Sequence, residues 1–369
     1  MAYTDIDDPS AYFTTTLWTG NGTSSGRSIT NSANEGNFKP DWLWIKPRAG
    51  TNATHHQLYD SSRGVSKSLR SSDNSSEIAS SAYGHVSAFD TNGFTSVAGS
   101  NNNENINENS STFVAWQWKA NGGTTASNTD GDITSTVQAN TTAGFSIVTY
   151  TGNGNASAQT VGHGLGADCR LVLLKSRSLG DESWRVFHES VSQSGGGNLF
   201  LNGTSGLDTS DPARITSTNT TTFTLDGYHS TYDALNEGSA TYLAYCLAEK
   251  QGYSKFGSYV GNGNANGTFV YTGFEPAWIM VKLSSADGNS WQIVDNKRNP
   301  LNTGNGKRIF PNNTNAESSS DSEGFDFLSN GFKLRNSSGG GNTNAATYIY
   351  MAFAEHPFVS SKGVPTTAR

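Results

Sequence analysis

The groups able to do chemistry in this chain of 369 residues are seven histidines, two cysteines and 31 carboxylates. His55 and His56 form the one close histidine pair, and no third ligand stands beside them at metal-site spacing. Glu104 and Glu108 lie in an Asn-rich stretch that reads as a solvated loop. A glycosidase needs two carboxylates facing each other across the scissile bond, and no such pair recurs along the chain. Asn128-Thr129-Asp130-Gly131-Asp132 offers oxygen ligands but lacks the spacing and closing Glu of a calcium loop. Asp60–Arg63 and Asp295–Arg298 repeat an Asp-to-Arg spacing of three, which reads as a turn closed by the carboxylate. The ion pair across that turn is expected to be exposed and worth under about 1 kcal/mol. No nucleophile elbow and no phosphate-binding loop is present. The expectation is a chain with no catalytic residue, no metal and no cofactor.

The elements that would position these groups follow from internal self-similarity. Thr19-Gly20-Asn21-Gly22 recurs as Thr151-Gly152-Asn153-Gly154 and Val260-Gly261-Asn262-Gly263. Downstream of each lies a run ending in Lys: Trp42 to Lys46, Leu171 to Lys175 and Trp278 to Lys282. A third landmark follows each Lys: Leu58-Tyr59-Asp60, Val186-Phe187-His188 and Ile293-Val294-Asp295. Closing segments start at Thr112, Thr241 and Thr347. These are apolar on one face (Val114, Trp116, Trp118 in the first) and aromatic then small on the other, as in a strand buried on both sides. The register places Cys169 with Pro40 and Pro276, and Cys246 with Gln117 and Ala352. Positions that accept Pro, Gln or Ala do not belong to a nucleophile, so both cysteines read as buried free thiols. His188 takes the place of Asp60 and Asp295 and reads as a polar strand-end residue; Trp184 and Trp291 align at a strand start, which suggests packing.

Turn dipeptides such as Asn92-Gly93, Asp226-Gly227 and Asn330-Gly331 separate many short strands. The predicted fold is all-β, with three tandem β-sandwich or jelly-roll-like units of about 90–110 residues and very little helix. The boundaries are a leader over 1–16, a first unit over 17–120, and a linker over 121–144 with hardly an apolar anchor. The second unit covers 145–255, the third 256–361, and 362–369 is a tail. Units two and three abut without a linker and are expected to share an interface.

Composition narrows the function classes. Charged residues make up only 15%, and Ser, Thr, Asn and Gly cover the surface instead. A net charge of −7 gives no footprint for nucleic acid, which needs clustered Lys and Arg. No run of eighteen apolar residues is present to insert into a membrane. The acidic start, Met1 to Pro9, has none of the apolar core of a secretory signal. Eighteen Phe, fourteen Tyr and eight Trp argue against disorder.

Several segments are similar to a family of virion structural proteins from tailed bacteriophages, marine and cyanobacterial ones in particular. The resemblance is carried by Ala2-Tyr3-Thr4-Asp5-Ile6-Asp7-Asp8-Pro9, Tyr150-Thr151-Gly152-Asn153-Gly154 and His163-Gly164-Leu165-Gly166. It continues through Gly252-Tyr253-Ser254-Lys255-Phe256-Gly257 and Pro357-Phe358-Val359. The His-Gly-Leu-Gly turn departs from the fibre pattern in having Cys169 near the place where a Pro is usual. The resemblance implies a noncatalytic protein of the virion surface, made in the host cytoplasm. It implies a tail fibre or fibre-like adhesin that touches other virion proteins and a host surface glycan. A homo-oligomer is implied too, a trimer favoured as a class expectation. The alternative placement is a capsid decoration or head-fibre protein; from another class, a carbohydrate-active enzyme or soluble lectin. Ile6, Tyr12 and Phe13 are the expected virion anchor, and Tyr228 and Tyr232 the expected glycan contacts.

Overall fold

The computed structural model describes residues 4–31, 37–49, 54–79, 81–101, 106–193, 196–229, 235–299, 302, 306–320, 324–337 and 339–366. Strands dominate, and helix among these residues is confined to Glu189–Ser192, Gly339–Asn342 and two short 3-10 turns. Three antiparallel sheets share one strand order. In the first unit it runs Phe13–Thr19, Thr112–Trp118, Trp42–Ala49, Gln57–Asp60. In the second it runs Phe145–Thr151, Thr241–Ala248, Cys169–Ser176, Arg185–His188. In the third it runs Ser254–Val260, Thr347–Pro357, Phe274–Leu283, Gln292–Asp295. The closing strand and the Lys-ending strand therefore sit side by side at the middle of each sheet, which is why both are apolar on both faces.

Each of these sheets is backed by a smaller, three-stranded outer sheet. In the first unit Leu43, Ile45, Phe113 and Ala115 meet Ile29, Val86 and Phe94 of the strands Arg27–Ile29, His85–Asp90 and Gly93–Val97. In the second, Val172, Tyr242 and Cys246 meet Val161, Ile215 and Phe223. In the third, Ile279, Tyr348 and Ala352 meet Val270, Phe325 and Phe332. The small side chains of the closing strands thus face the outer sheets and let them approach. The same aromatic group recurs: Trp18 stacks on Phe113 at 5.1 Å, Tyr150 on Tyr242 at 4.9 Å and Tyr259 on Tyr348 at 5.2 Å.

The opposite faces of the three inner sheets meet in a single core. Trp42, Trp44, Trp116 and Trp118 of the first unit pack with Leu171, Leu173 and Tyr245 of the second and Trp278, Met280 and Phe353 of the third. The sandwiches are therefore gathered around a common centre and do not run as a stiff row. Period-2 alternation identifies two buried faces per strand, but not that the second face belongs to a neighbouring unit.

Two segments differ from expectation. Residues 121–144, expected as a linker, carry the strands Ala126–Asn128 and Ser135–Asn140, which together with Leu199–Phe200 at the opposite edge extend the second inner sheet to seven strands. Ile133 and Val137 anchor them in the second unit's core, and buried Gln138 donates to Ser61 and Ser62 at the turn of the first unit. The leader is likewise integrated. Thr4 and Asp5 bond to the Gln251 carbonyl, Ile6 and Phe13 enter the central core, and Phe13 already belongs to the first strand.

Candidate contact surface

The repeated Lys, Asp and aromatic landmarks have one job in common: they join each unit to the next. Lys46 Nζ donates to Thr314 O of the third unit at 3.1 Å, Lys175 to Asn74 O of the first at 3.1 Å, and Lys282 to Thr204 O of the second at 3.2 Å. Just ahead of the third-landmark strand, Trp184 Nε1 reaches Arg70 O, Trp291 Nε1 reaches Phe200 O, and His56 Nε2 reaches Phe310 O. Backbone bonds from Glu77 to Arg177, Glu317 to Arg48 and Leu207 to Ser284 complete the pattern, each 2.8 Å. First joins third, second joins first, third joins second, so the units close into a ring. Trp184 and Trp291 pack as expected, and His56 is the third member of their set.

The Asp60–Arg63 and Asp295–Arg298 pairs are not the exposed ion pairs expected. Their carboxylates do close the turn, accepting from the Arg amide at 2.8 Å, but the side chains are wholly buried. Arg63 also meets Glu77, and Arg298 meets Glu317, the residues that pair with Arg177 and Arg48 across the unit boundaries. Burial alone would raise the Glu77 carboxyl, yet bonds from Arg177 and the charge of Arg63 hold it below the usual carboxylate range. The local spacing of three was legible; the apolar lid over it comes from other units.

The facing donors explain why His188 replaces the aspartate. Asp60 Oδ2 accepts from Tyr245 Oη of the second unit at 2.9 Å, and Asp295 Oδ2 from Trp116 Nε1 of the first at 2.9 Å. The corresponding residue of the third unit is Met351, which has no donor. A buried aspartate opposite a thioether would be uncompensated, and His188 stands there instead. Its Nδ1 accepts from Ser190 N and its Nε2 donates to Tyr350 O at 3.1 Å, an arrangement for the neutral ring. Burial lowers this His to about 4, and burial also lowers His56 well below its ordinary value.

The Gly-Asn-Gly motifs are structural clasps. Gly20, Gly152 and Gly261 pass so close to the backbone oxygens of Glu108, Glu237 and Thr343 that a Cβ would overlap them. The motif asparagines exchange side-chain bonds with Asn107, Asn236 and Asn342, all buried. These partner asparagines escaped the sequence reading. Each stands five residues before the closing-strand Thr, a spacing that could have found them in an Asn-rich background.

Cys169 and Cys246 are buried and free, and burial together with the neighbouring Cys169 pushes the Cys246 thiol up. Among the described residues no group of three or more His, Cys, Asp or Glu could hold a metal ion. No helix of the described residues is long and apolar enough to cross a membrane.

A family described as a domain of unknown function, DUF7483, matches residues 8–357. The chain belongs to that family. No curated protein and no solved structure matches it.

What this DUF7483 chain leaves for contact is its outside. The expected anchor residues Ile6 and Phe13 are buried in its own core, Phe13 stacking on Phe353 at 5.2 Å, and Tyr12 packs edge-on to Tyr253. Ile6 and Phe13 are thus covered within the chain, whereas Tyr12 remains half-buried. Tyr228 is half-buried with its amide on Asn155 O, and Tyr232 lies outside the described residues. Among the described aromatics only Phe269 and Tyr271 of the third unit's outer sheet are largely exposed, at 43% and 58%; Val260, at the end of the inner strand Ser254–Val260, is exposed at 54%. Tyr271 also borders a shallow open groove with Glu249, Gln251, Lys255 and Phe358. The first unit carries Thr19, Ser28 and Thr30 where the third has Val260, Phe269 and Tyr271; the second carries Thr151, Thr160 and Gly162. At all three places a hydroxyl or glycine has become apolar or aromatic in one unit alone.

Proposed function

We propose that this protein is a noncatalytic component of a tailed-bacteriophage virion surface, a tail fibre or fibre-like adhesin, with capsid decoration the alternative placement. The observation that carries this reading is the use made of the reactive groups. The repeated lysines, aspartates, buried arginines and His188 are engaged in closing the three-unit ring, while the exterior is covered with Ser, Thr, Asn and Gly. Such a ring is a rigid display body, and a surface with few charges changes little with salt. The resemblance to virion structural proteins points the same way. Because three units of one chain already close the ring, this reading does not need the trimer that fibres usually form, and attachment to the particle uses the outer surface in place of the leader.

The test is to locate the chain on particles. Mass spectrometry of purified virions is expected to find it in stoichiometric amount, and cryo-electron microscopy to place a ring of three sandwiches on the tail or on the capsid lattice. Absence from purified virions overturns the reading. Density on the capsid with none on the tail selects decoration over adhesion.

A further inference from the structure

The outer sheet of the third unit ends in an open edge, the strand Phe269–Tyr271. It pairs antiparallel with Gly331–Leu334, with Val270 opposite Phe332. Leu334 N donates to Thr268 O at one end and Thr272 N to Asn330 O at the other. Bonded and non-bonded pairs alternate in an antiparallel ladder, so residues 268, 270 and 272 face the partner strand. The amides and carbonyls of Phe269 and Tyr271 therefore point away from the sheet, and no described residue bonds to them.

The other two units treat the corresponding edge differently. In the second unit the chain covers it. Ile133 N donates to Thr160 O at 3.0 Å, Ile133 bridges Val161, and Asp132 caps the Thr160 amide and hydroxyl. Asn128 fills the space over Gly162 that a side chain would need. In the first unit the edge is polar, with Ser28 and Thr30 both exposed. Among the described residues only the third edge is both uncovered and apolar, and its strand carries no Pro, Lys or other charged residue of the kind that normally blocks strand addition.

We propose that this edge pairs with the same edge of a second copy of the chain. A twofold axis through Val270 sets Phe269 of one copy opposite Tyr271 of the other. Both are then hydrogen-bonded pairs, and all four outward-pointing groups of each strand find partners. The two Phe–Tyr pairs stack on one outer face, and the two three-stranded sheets become one of six strands. The strand is uncharged, so the twofold opposes no like charges. A parallel guest like the one in the second unit is disfavoured here, because Tyr271 stands where Gly162 leaves room for Asn128. The apolar area offered is on the order of 300 Å² per copy, short of the roughly 800 Å² per partner of a stable interface. The dimer is therefore a weak one, suited to copies already crowded on a common support.

Sedimentation equilibrium of the full chain tests this independently of virion placement. The weight-average mass is expected to rise toward two chains as the concentration is raised. The double variant F269S/Y271T, which installs the residues of the first unit, should fold with an unchanged circular dichroism spectrum and associate at least tenfold more weakly. Hydrogen exchange at the amides of Phe269 and Tyr271 should slow with concentration in the parent and not in the variant. A parent that stays monomeric at every concentration overturns the proposal, as does association undiminished in F269S/Y271T. A monomeric parent whose Tyr271 fluorescence or resonances respond to chitotetraose also overturns it and assigns the face to sugar stacking.

Discussion

At the centre of the ring Trp42 stacks between Trp118 of its own unit and Tyr245 of the next, each at 4.2 Å, and Trp118 meets Trp278 and Phe353 of the third. In the outer sandwiches every aromatic group comes from one unit: Trp18, Phe94 and Phe113 in the first, Tyr259, Phe332 and Tyr348 in the third. Both regions are fully buried and aromatic, so burial alone does not distinguish them. What distinguishes them is whose residues meet. The outer cores hold a unit together, and the central core makes the units depend on one another.

Truncation on the two sides should therefore differ in reach more than in size. Trp42→Ala is expected to destabilise by about 4 kcal/mol and to lower hydrogen-exchange protection in all three inner sheets. Phe94→Ala is expected to cost about 3 kcal/mol with the loss concentrated in the first outer sheet. Denaturant unfolding followed by exchange mass spectrometry reads both. If Trp42→Ala left the second and third inner sheets as protected as before, the central core would not couple the units.

The ionic clusters sharpen the same contrast, because they sit at unit boundaries. Arg63→Met leaves Asp60 buried without its cation and is expected to cost about 3–4 kcal/mol. The double variant Asp60→Asn/Arg63→Met should recover part of that, since no charge is then left uncompensated. A double-mutant cycle pairing Tyr245→Phe with Asp60→Asn should return a coupling above about 0.5 kcal/mol; a coupling of zero would remove the bond from the interface's stability.

The boundary between what was and was not legible in the sequence follows this divide. Strand identity, the all-β class and the four landmarks could be read because period-2 alternation and turn dipeptides are local. The Gly-Asn-Gly motifs are legible as a repeat, although their buried asparagine partners are lost in a composition full of Asn. For the polar Asp–Arg turns the covering residues come from another unit, and their burial is not legible locally. Arg63 reads as a surface residue three places from an aspartate, and nothing local announces Tyr245 of the second unit, whose hydroxyl reaches the same carboxylate. Ile6 and Phe13 looked like a tether and Ile133 and Val137 were too sparse to suggest strands, because a few anchors suffice when the neighbouring surface is already built. The exposed aromatics Phe269 and Tyr271 stand out only after units are superposed by strand register, because in sequence each is one aromatic among many.

Acidification separates the boundary histidine from the carboxylates. His188 is lowered to about 4 by burial, against 6.5 for the free side chain. The unfolded chain therefore takes up a proton below pH 6.5 that the folded chain refuses, and stability present above that value is lost as pH falls toward 4. For this one group the loss approaches about 3 kcal/mol. His56, lowered by burial, adds a change of the same sign. Glu77 and Glu317 are held below the usual carboxylate range, so their contributions disappear only at lower pH. Urea midpoints at pH 7.5, 6 and 5 should fall steadily in the parent and less steeply in His188→Gln. Equal slopes would mean that the neutral His188–Tyr350 contact does not persist in solution.

The smallest expected effect tests the clasp, which lies within a unit and away from the centre. Asn236 ties both sides of the second Gly-Asn-Gly turn, accepting from Asn153 N at 2.9 Å and donating to Asn153 Oδ1 at 2.8 Å. Asn236→Ala removes both bonds and a third to Asn155 O, and leaves the part-buried Asn153 amide without its acceptor, a cost of about 1–2 kcal/mol. Because Asn107 and Asn342 hold the other two turns in the same way, the damage should stay in the second unit. Exchange protection should fall at Gly152, Gly154 and Ser239, whose amides bond within the clasp, and remain at Gly20 and Gly261. A loss that spread to those glycines would show that the outer ends of the units are coupled as tightly as their centres, and the distinction between local and shared cores would fail there first.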